Sequence, residues 1–234
     1  SDTHGLVRPQ AIEDYVEITR LAPHDFAALK SLGDAHRRKG QCAAAVADYD
    51  RAIRVNAKSA DAYDARGDAY TCTKDDEKAI ADYEQAIALE ARRAETYMNR
   101  GSAYLRAGRS DQALADFAEV IRLRPHEAGA YAARGGIYLK QGKYEQAVQD
   151  YDDALRLDPR SADGFYHRAS AYFAMQDYEG AIKDFSRSIQ LRPKFAAAFD
   201  GRGNAYMREG QYDRAIQDYD KAIQLDKGFA AAFN

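Results

Sequence analysis

Few side chains in this sequence are spaced for catalysis or metal binding. The five histidines lie at scattered positions, His4, His24, His36, His126 and His167. None of them is at helical spacing from another histidine or from a cysteine, the pattern expected of a metal site on a helix. The recurrent glycines lack the lysine and hydroxyl residue that a phosphate-binding loop needs. We therefore expect no catalytic residue, no metal site and no cofactor.

Neighbouring carboxylates also lack a pattern typical of catalysis. Asp75, Asp76 and Glu77 fall in a predicted turn and in the first turn of the helix that follows. Negative charge at a helix start stabilises the helix dipole. This interpretation is favoured over an acid–base role, and the chain is predicted not to be an enzyme.

An arginine and an aspartate recur together, sixteen residues apart. The pairs are Arg66 with Asp82, Arg100 with Asp116, Arg134 with Asp150, Arg168 with Asp184 and Arg202 with Asp218. A guanidinium binds a carboxylate through two parallel hydrogen bonds. The recurrence predicts a structural ladder of ion pairs between helices. The alternative is that both residues are solvated surface groups, worth less than about 1 kcal/mol per pair.

These arginines belong to a pattern that repeats every 34 residues, six times in all. One marker is the string from Arg66 to Tyr70, Arg-Gly-Asp-Ala-Tyr, and a second is Ala79 to Tyr83, Ala-Ile-Ala-Asp-Tyr. Apolar residues three and four positions apart, such as Ile80, Tyr83 and Ile87, share one face of a helix. Each unit is therefore predicted to form two helices, and a fixed period of this length indicates an array of repeats.

The breaks between helices can also be located. Four units have a glycine at the same place, Gly40, Gly108, Gly142 and Gly210, where Lys74 and Gln176 occupy the other two. Glycine adopts the left-handed conformation that ends a helix. Prolines follow the second helix in three units, Pro125, Pro159 and Pro193. Proline disfavours helix in the residue before it, so each unit is predicted to be helix, turn, helix, turn.

This unit resembles the tetratricopeptide repeat, a 34-residue helix-turn-helix. With the glycine as position eight, the matches include an aromatic residue at position four and alanine at position twenty. The chain departs from the family at position seven, where five units have arginine instead of leucine. The resemblance implies an all-α fold, an α-solenoid that forms a right-handed superhelix. A single array is expected, with repeats at 26–59, 60–93, 94–127, 128–161, 162–195 and 196–229.

The two ends of the chain resemble parts of a repeat. Residues 11–25 match the second helix of a partial repeat, and residues 230–234 match the start of a truncated one. Repeat arrays usually end in a polar capping helix, and we identify none here. We expect that the chain is a fragment of a longer protein, or that another copy covers its C-terminal end.

Composition narrows the classes of partner. The chain has 234 residues, of which 46% are hydrophobic and 30% charged, and a net charge of −3. It lacks the basic excess typical of nucleic-acid binding and any apolar run of 18 residues or more. Ser1 to Leu6 does not resemble a signal peptide. Two locations remain as alternatives, the cytoplasm and an exported protein whose signal has been removed.

The two cysteines occupy different positions in adjacent units. Cys42 lies at the start of a predicted second helix, and Cys72 lies near the end of the next first helix. This spacing indicates neither a disulfide framework nor a metal site. Two such cysteines are consistent with a reducing compartment.

The resemblance further implies that the first helix of each unit lines a concave groove. Groove positions include an apolar stripe, Met98, Leu105, Leu139, Tyr166, Phe173 and Met207, and an acidic group, Asp61, Asp64 and Asp68. Exposed apolar patches on soluble proteins usually mark interaction sites. The alternative is that the stripe only packs against neighbouring helices. A partner with apolar anchors and basic residues would complement these positions.

The predicted function is a non-enzymatic scaffold that binds a partner peptide or helix in this groove. Two alternatives remain open, a substrate-recognition or regulatory arm of a larger enzyme and a self-associating structural array. No nucleic-acid partner and no membrane insertion are expected.

Overall fold

A computed structural model describes residues 10–226, with side chains from Ile12 onward. Within this range the chain forms thirteen α-helices and no strand. The helices are α1 Gln10–Leu21, α2 Phe26–Arg38, α3 Cys42–Val55, α4 Ala60–Cys72, α5 Asp76–Leu89, α6 Ala94–Arg106, α7 Ser110–Leu123, α8 Ala128–Lys140, α9 Tyr144–Leu157, α10 Ala162–Ala174, α11 Tyr178–Leu191, α12 Ala196–Arg208 and α13 Tyr212–Leu225. None of these thirteen helices combines the length and apolar composition that crossing a membrane requires. The predicted start of a further repeat at 230–234 lies outside the described residues.

The chain divides into two compact units, residues 1–123 and 124–234. In the first unit each helix from α1 to α6 contacts the next, and α4 also contacts both α2 and α6. In the second unit each helix from α8 to α12 contacts the next, and α10 contacts both α8 and α12. The helices α2, α4, α6, α8, α10 and α12 are called first helices below, and the helix that follows each is its second helix. The predicted all-α fold of helix-turn-helix repeats is confirmed in both units.

Within a repeat, a glycine of the first helix lies close against an aromatic ring of the second. A Cβ atom placed on Gly67 would lie 2.7 Å from Cε1 of Tyr83, and one placed on Gly33 would lie 2.6 Å from Cε1 of Tyr49. Both tyrosine rings are buried, and protein interiors are too closely packed to let them move aside. The recurrent glycine therefore sets the distance between the paired helices.

One residue in the left-handed conformation separates the two helices of a repeat. The glycines there have φ angles of 73° at Gly40, 76° at Gly108, 73° at Gly142 and 72° at Gly210. Lys74 and Gln176 adopt the same conformation, with φ angles of 62° and 65°. A residue with a Cβ atom is strained there by about 1–2 kcal/mol, because Cβ approaches the following carbonyl oxygen. The turn geometry is thus kept where glycine is absent.

This strain leads to a prediction for Gln176. The change Gln176→Gly is expected to raise the free energy of unfolding by about 0.5–1 kcal/mol, since relief of strain exceeds the entropy that glycine adds to the unfolded chain. Gly142→Ala, at a turn where a Cβ atom meets no closer neighbour than 3.9 Å, should lower it by a similar amount. Urea denaturation followed by circular dichroism measures both. A Gln176→Gly protein less stable than the parent would contradict the prediction.

The cysteines correct an expectation from the sequence. Cys42 and Cys72, which we expected to be unpaired, form a disulfide that spans 30 residues. Cys42 is the first residue of α3 and Cys72 the last of α4, and these neighbouring helices bring the two Cα atoms to 6.0 Å. This separation is within the range of disulfides. The two cysteines occupy different repeat positions because one helix start meets the end of the next helix.

Candidate functional site

Every arginine of the predicted ladder is paired with its aspartate in the structure. Nε and Nη2 of the arginine donate to the two carboxylate oxygens at 2.6 to 2.8 Å in all five pairs. The aspartate side chains are only 4 to 7% exposed. They are therefore not solvated surface groups. Each pair joins the first helix of a repeat to the second.

Three of these arginines also bind the preceding repeat: Arg202 donates to the Ser186 hydroxyl at 3.0 Å, and the other two donate to a carboxylate. Nη1 of Arg66 donates to Asp50 at 2.6 Å, and Nη1 of Arg168 donates to Asp152 at 2.6 Å. Asp50 and Asp152 each precede their arginine by sixteen residues. Sequence analysis missed these second carboxylates, although an acidic residue at that spacing from the arginine was a usable signal. The guanidinium thus links three consecutive helices within its unit.

The apolar stripe divides between the two units. Met98 and Leu105 lie half-buried on α6 of the first unit. Leu139 on α8 packs against the buried residues Ala147, Tyr151 and Ala171 of the second unit. Met207 on α12 is 44% exposed. The remaining two members, Tyr166 and Phe173, lie on α10 and form part of a cavity.

This cavity lies on the second unit, between the first helices α10 and α12. Its volume is about 280 Å³, and its lining residues are Tyr166, Ser170, Phe173, Phe185, Ala197, Asp200, Gly201 and Asn204. Tyr166, Ser170 and Phe173 come from α10, whereas Ala197 to Asn204 come from α12. Phe185 of α11 contributes a third ring. A cavity of this size accommodates one large side chain, since a water molecule takes about 30 Å³ of liquid.

Two small residues, Ala169 and Gly201, shape the cavity. In repeat 162–195 the usual glycine of the first helix is replaced by Ala169, which is fully buried. The ring of Phe185 instead lies against α12, where a Cβ atom placed on Gly201 would be 2.6 Å from Cζ of Phe185. An alanine at 201 would overlap the ring, so Gly201 is required by this close approach. The position of Phe185 between two repeats makes it part of the cavity.

The aromatic wall is held by contacts among the rings. The ring of Tyr166 lies 5.7 Å from that of Phe185 and 4.9 Å from that of Phe195, measured between centroids. Such tilted pairs add to the free energy gained by burial. Burial raises the pKa of Tyr166, and the nearby Asp200 carboxylate acts in the same direction. The hydroxyl of Tyr166 therefore stays protonated at neutral pH. Among the described residues, the one carboxylate that lines the cavity is that of Asp200.

That carboxylate, Asp200, was not among the predicted site residues. It is half-buried and accepts a hydrogen bond of 3.1 Å from Nδ2 of Asn204, whose Oδ1 accepts from the Tyr219 hydroxyl at 2.8 Å. Burial raises the pKa of Asp200, and the hydrogen bond from Asn204 lowers it. Asp200 lies at the same repeat position as Asp64, which was a usable signal in the sequence.

The predicted acidic group on α4 is compensated within the first unit. Asp61 pairs with Arg93 at 2.8 Å, and Asp64 accepts a hydrogen bond of 2.7 Å from Thr96. Asp68 accepts hydrogen bonds of 3.0 Å from Tyr83 and from Asn99 and of 3.2 Å from Arg37. Burial raises the pKa of Asp64 and of Asp68. The negative charge that the sequence places here is thus neutralised in part by the chain itself.

A comparison with curated protein sequences finds no significant match. Among solved structures, YrrB, a TPR protein with an unusual peptide-binding site, has a TM-score of 0.71 at 19% identity, covering 80% of this chain and 97% of YrrB. MamA has a TM-score of 0.67 at 24% identity, covering 70% of this chain and 96% of MamA. A tetratricopeptide repeat protein from Parabacteroides merdae has a TM-score of 0.67 at 23% identity, covering 92% and 86% of the two chains.

Family models match most of the chain. A model described as TPR repeat matches residues 33–74, 67–108 and 135–176. Models described as tetratricopeptide repeat match residues 162–195 and 201–229 and residues 94–127. Together with the 34-residue period and the helix pairs, these matches show that the chain belongs to the tetratricopeptide repeat family.

Proposed function

We propose that this chain is a non-enzymatic protein-interaction scaffold and that a partner segment binds on the first helices of the second unit. The observation that carries the proposal is the cavity between α10 and α12, where Tyr166, Phe173 and Phe185 surround space for one large side chain. Recognition sites for segments of protein typically combine an apolar anchor in a pocket with polar contacts around it. Here Ser170 and Asn204 supply such polar groups beside the rings.

Repeat proteins offer an extended surface for this purpose. Each repeat buries its apolar face against its neighbours, and the first helices of adjacent repeats are in contact in both units. A partner that lies across α10 and α12 meets side chains from two repeats at once. The description of YrrB as a peptide-binding TPR protein supports this class of function.

The proposal is tested by peptides selected from a random library against the intact chain. Their affinity is then measured by calorimetry for the parent, for Phe173→Asp and for Met175→Asp. Met175 is 39% exposed at the end of the same helix and does not line the cavity, so it is the matched control. We expect Phe173→Asp to weaken binding by about 2 kcal/mol or more, roughly a thirtyfold rise in Kd, because a buried aromatic anchor contact is replaced by a charge.

The control separates loss of the site from loss of the fold. Both variants are first compared with the parent by thermal denaturation, and Leu139→Asp is measured alongside because Leu139 belongs to the same predicted stripe. Equal affinity of the parent and Phe173→Asp for every selected peptide would show that the cavity is not the binding site.

A further inference from the structure

We propose that the cavity between α10 and α12 receives a basic side chain of the partner, with its alkyl stem on the aromatic rings and its charged group at Asp200. This inference rests on the proposed function and names the chemistry of the residue bound there. Lysine and arginine share that chemistry and are distinguished by the experiment below.

The first argument is that Asp200 differs from the comparable carboxylates of the chain. Four carboxylates on first helices are half-buried: Asp34, Asp64, Asp68 and Asp200. Three of them have a cation of the chain within 4 Å: Asp34 with Lys30, Asp64 with Arg93 and Asp68 with Arg37. Among the residues that the structure describes, no cation pairs with Asp200, whose one hydrogen bond comes from a neutral amide. A buried carboxylate is usually paired with a cation, and a ligand can supply it.

The sequence gives the reason for this difference. Asp64 receives its partners from Arg93, 29 residues later, and from Thr96, 32 residues later. The residues at the same spacings from Asp200 are Phe229 and Ala232. Neither residue type carries a positive charge or a hydroxyl donor. Asp200 thus has the same repeat position as Asp64, but the sequence lacks the arginine and the threonine that bind Asp64.

The second argument is the composition of the walls. Tyr166, Phe173 and Phe185 border the cavity together with Asp200. Aromatic faces attract ammonium and guanidinium groups, and the methylene stems of lysine and arginine pack well on apolar surface. Phe195 packs against Tyr166 at 4.9 Å, and the guanidinium of Arg192 lies 4.7 Å from the centroid of Phe195. This cluster already holds one cation against an aromatic face at its edge.

The third argument concerns desolvation. Burial is the main cause that raises the pKa of Asp200, and the hydrogen bond from Asn204 offsets it only in part. A cation in the cavity supplies further compensation, whereas an apolar side chain would remove more water from the carboxylate. An apolar occupant is therefore disfavoured relative to a basic one of equal length.

The test uses three small probes and the intact chain. Nα-acetyl-lysine methylamide, the arginine equivalent and the norleucine equivalent are titrated while the backbone amide signals of Ala197, Gly201 and Asn204 are followed by NMR. Norleucine has the same unbranched alkyl stem as lysine but lacks the terminal ammonium group. The comparison therefore isolates the contribution of that group. The variants are Asp200→Asn and, as the matched control, Asp163→Asn. Asp163 lies on α10 and is paired with Arg192 at 2.6 Å. Its substitution by asparagine changes the net charge by the same amount as Asp200→Asn.

We expect the lysine or arginine probe to bind the parent at least about tenfold more tightly than the norleucine probe, a difference of about 1.4 kcal/mol. Asp200→Asn should abolish this preference, and Asp163→Asn should preserve it. Equal affinity for norleucine and the basic probes, or a preference that persists in Asp200→Asn, would overturn the inference. If norleucine binds as tightly as lysine and Phe173→Asp abolishes both, the proposed function stands while this inference fails. Absence of any saturable shift with the basic probes would overturn it as well.

Discussion

Replacing Arg100 with alanine is expected to lower the free energy of unfolding by about 3–5 kcal/mol, the usual cost of removing one partner of a buried ion pair. Asp116, its partner, is 4% exposed and accepts two hydrogen bonds from Arg100 at 2.8 and 2.6 Å. Without the guanidinium this carboxylate is buried with no counter-charge. The guanidinium also lies 5.5 Å from the ring of Tyr97 and 5.6 Å from that of Tyr104, and those contacts are lost too.

The loss should depend on pH in a defined direction. Burial raises the pKa of Asp116, while the hydrogen bonds and charge of Arg100 lower it. In Arg100→Ala the lowering contribution is absent, so the pKa of Asp116 rises further in the folded state. A folded state with the higher pKa gains stability as pH falls through that pKa. The deficit of the variant is therefore largest at neutral pH and becomes smaller in mildly acidic buffer.

Urea denaturation of Arg100→Ala and the parent at both pH values measures this prediction. Arg122→Ala is the matched control, because Arg122 is 63% exposed and pairs with Glu119 three residues earlier. An exposed pair of this kind is worth less than about 1 kcal/mol. The interpretation of the ladder as a stabilising element would be wrong if the two variants lost the same small amount.

Reduction of the Cys42–Cys72 disulfide is expected to lower the free energy of unfolding by about 3–4 kcal/mol. The disulfide closes a segment of 30 residues, and a cross-link of that span removes loop entropy from the unfolded chain. It also joins α3 of one repeat to α4 of the next. Urea denaturation with and without dithiothreitol measures the effect.

The double variant Cys42→Ala/Cys72→Ala supplies the control. Cys42 is only 5% exposed, and alanine leaves no polar group in its place. The variant should match the reduced parent and should not respond to dithiothreitol. Identical denaturation of the parent before and after reduction, with two free thiols titrated only after reduction, would refute the prediction.

Much of the local structure follows from the sequence because each repeat poses the same physical problem. The spacing of Ile80, Tyr83 and Ile87 predicts a helix, and these residues lie on α5. The glycine at 142 predicts a left-handed turn, and Gln176 adopts that turn because the helices on either side determine it. The recurrence of arginine and aspartate sixteen residues apart similarly predicts pairs that are hydrogen-bonded in the structure.

The parts that sequence reasoning missed depend on contacts between repeats. The disulfide forms because the start of α3 meets the end of α4, a contact that comparison of equivalent repeat positions does not reveal. Asp200 becomes distinctive only when its surroundings are compared with those of Asp64, whose cation Arg93 comes from near the end of the same repeat. Phe185 contributes to the cavity because its ring lies against Gly201 of the next repeat, where a Cβ atom would overlap it.

The packing of Phe185 against the next repeat limits how repeats of this protein can be exchanged with those of another. Its ring belongs to the segment 162–195, whereas the glycine that makes room for it, Gly201, belongs to the segment 196–229. Transplanting either segment alone would set the ring against a residue with a Cβ atom or leave a void where it had been. A successful graft has to move residues 162 to 229 together, so that here the transferable module is two repeats long.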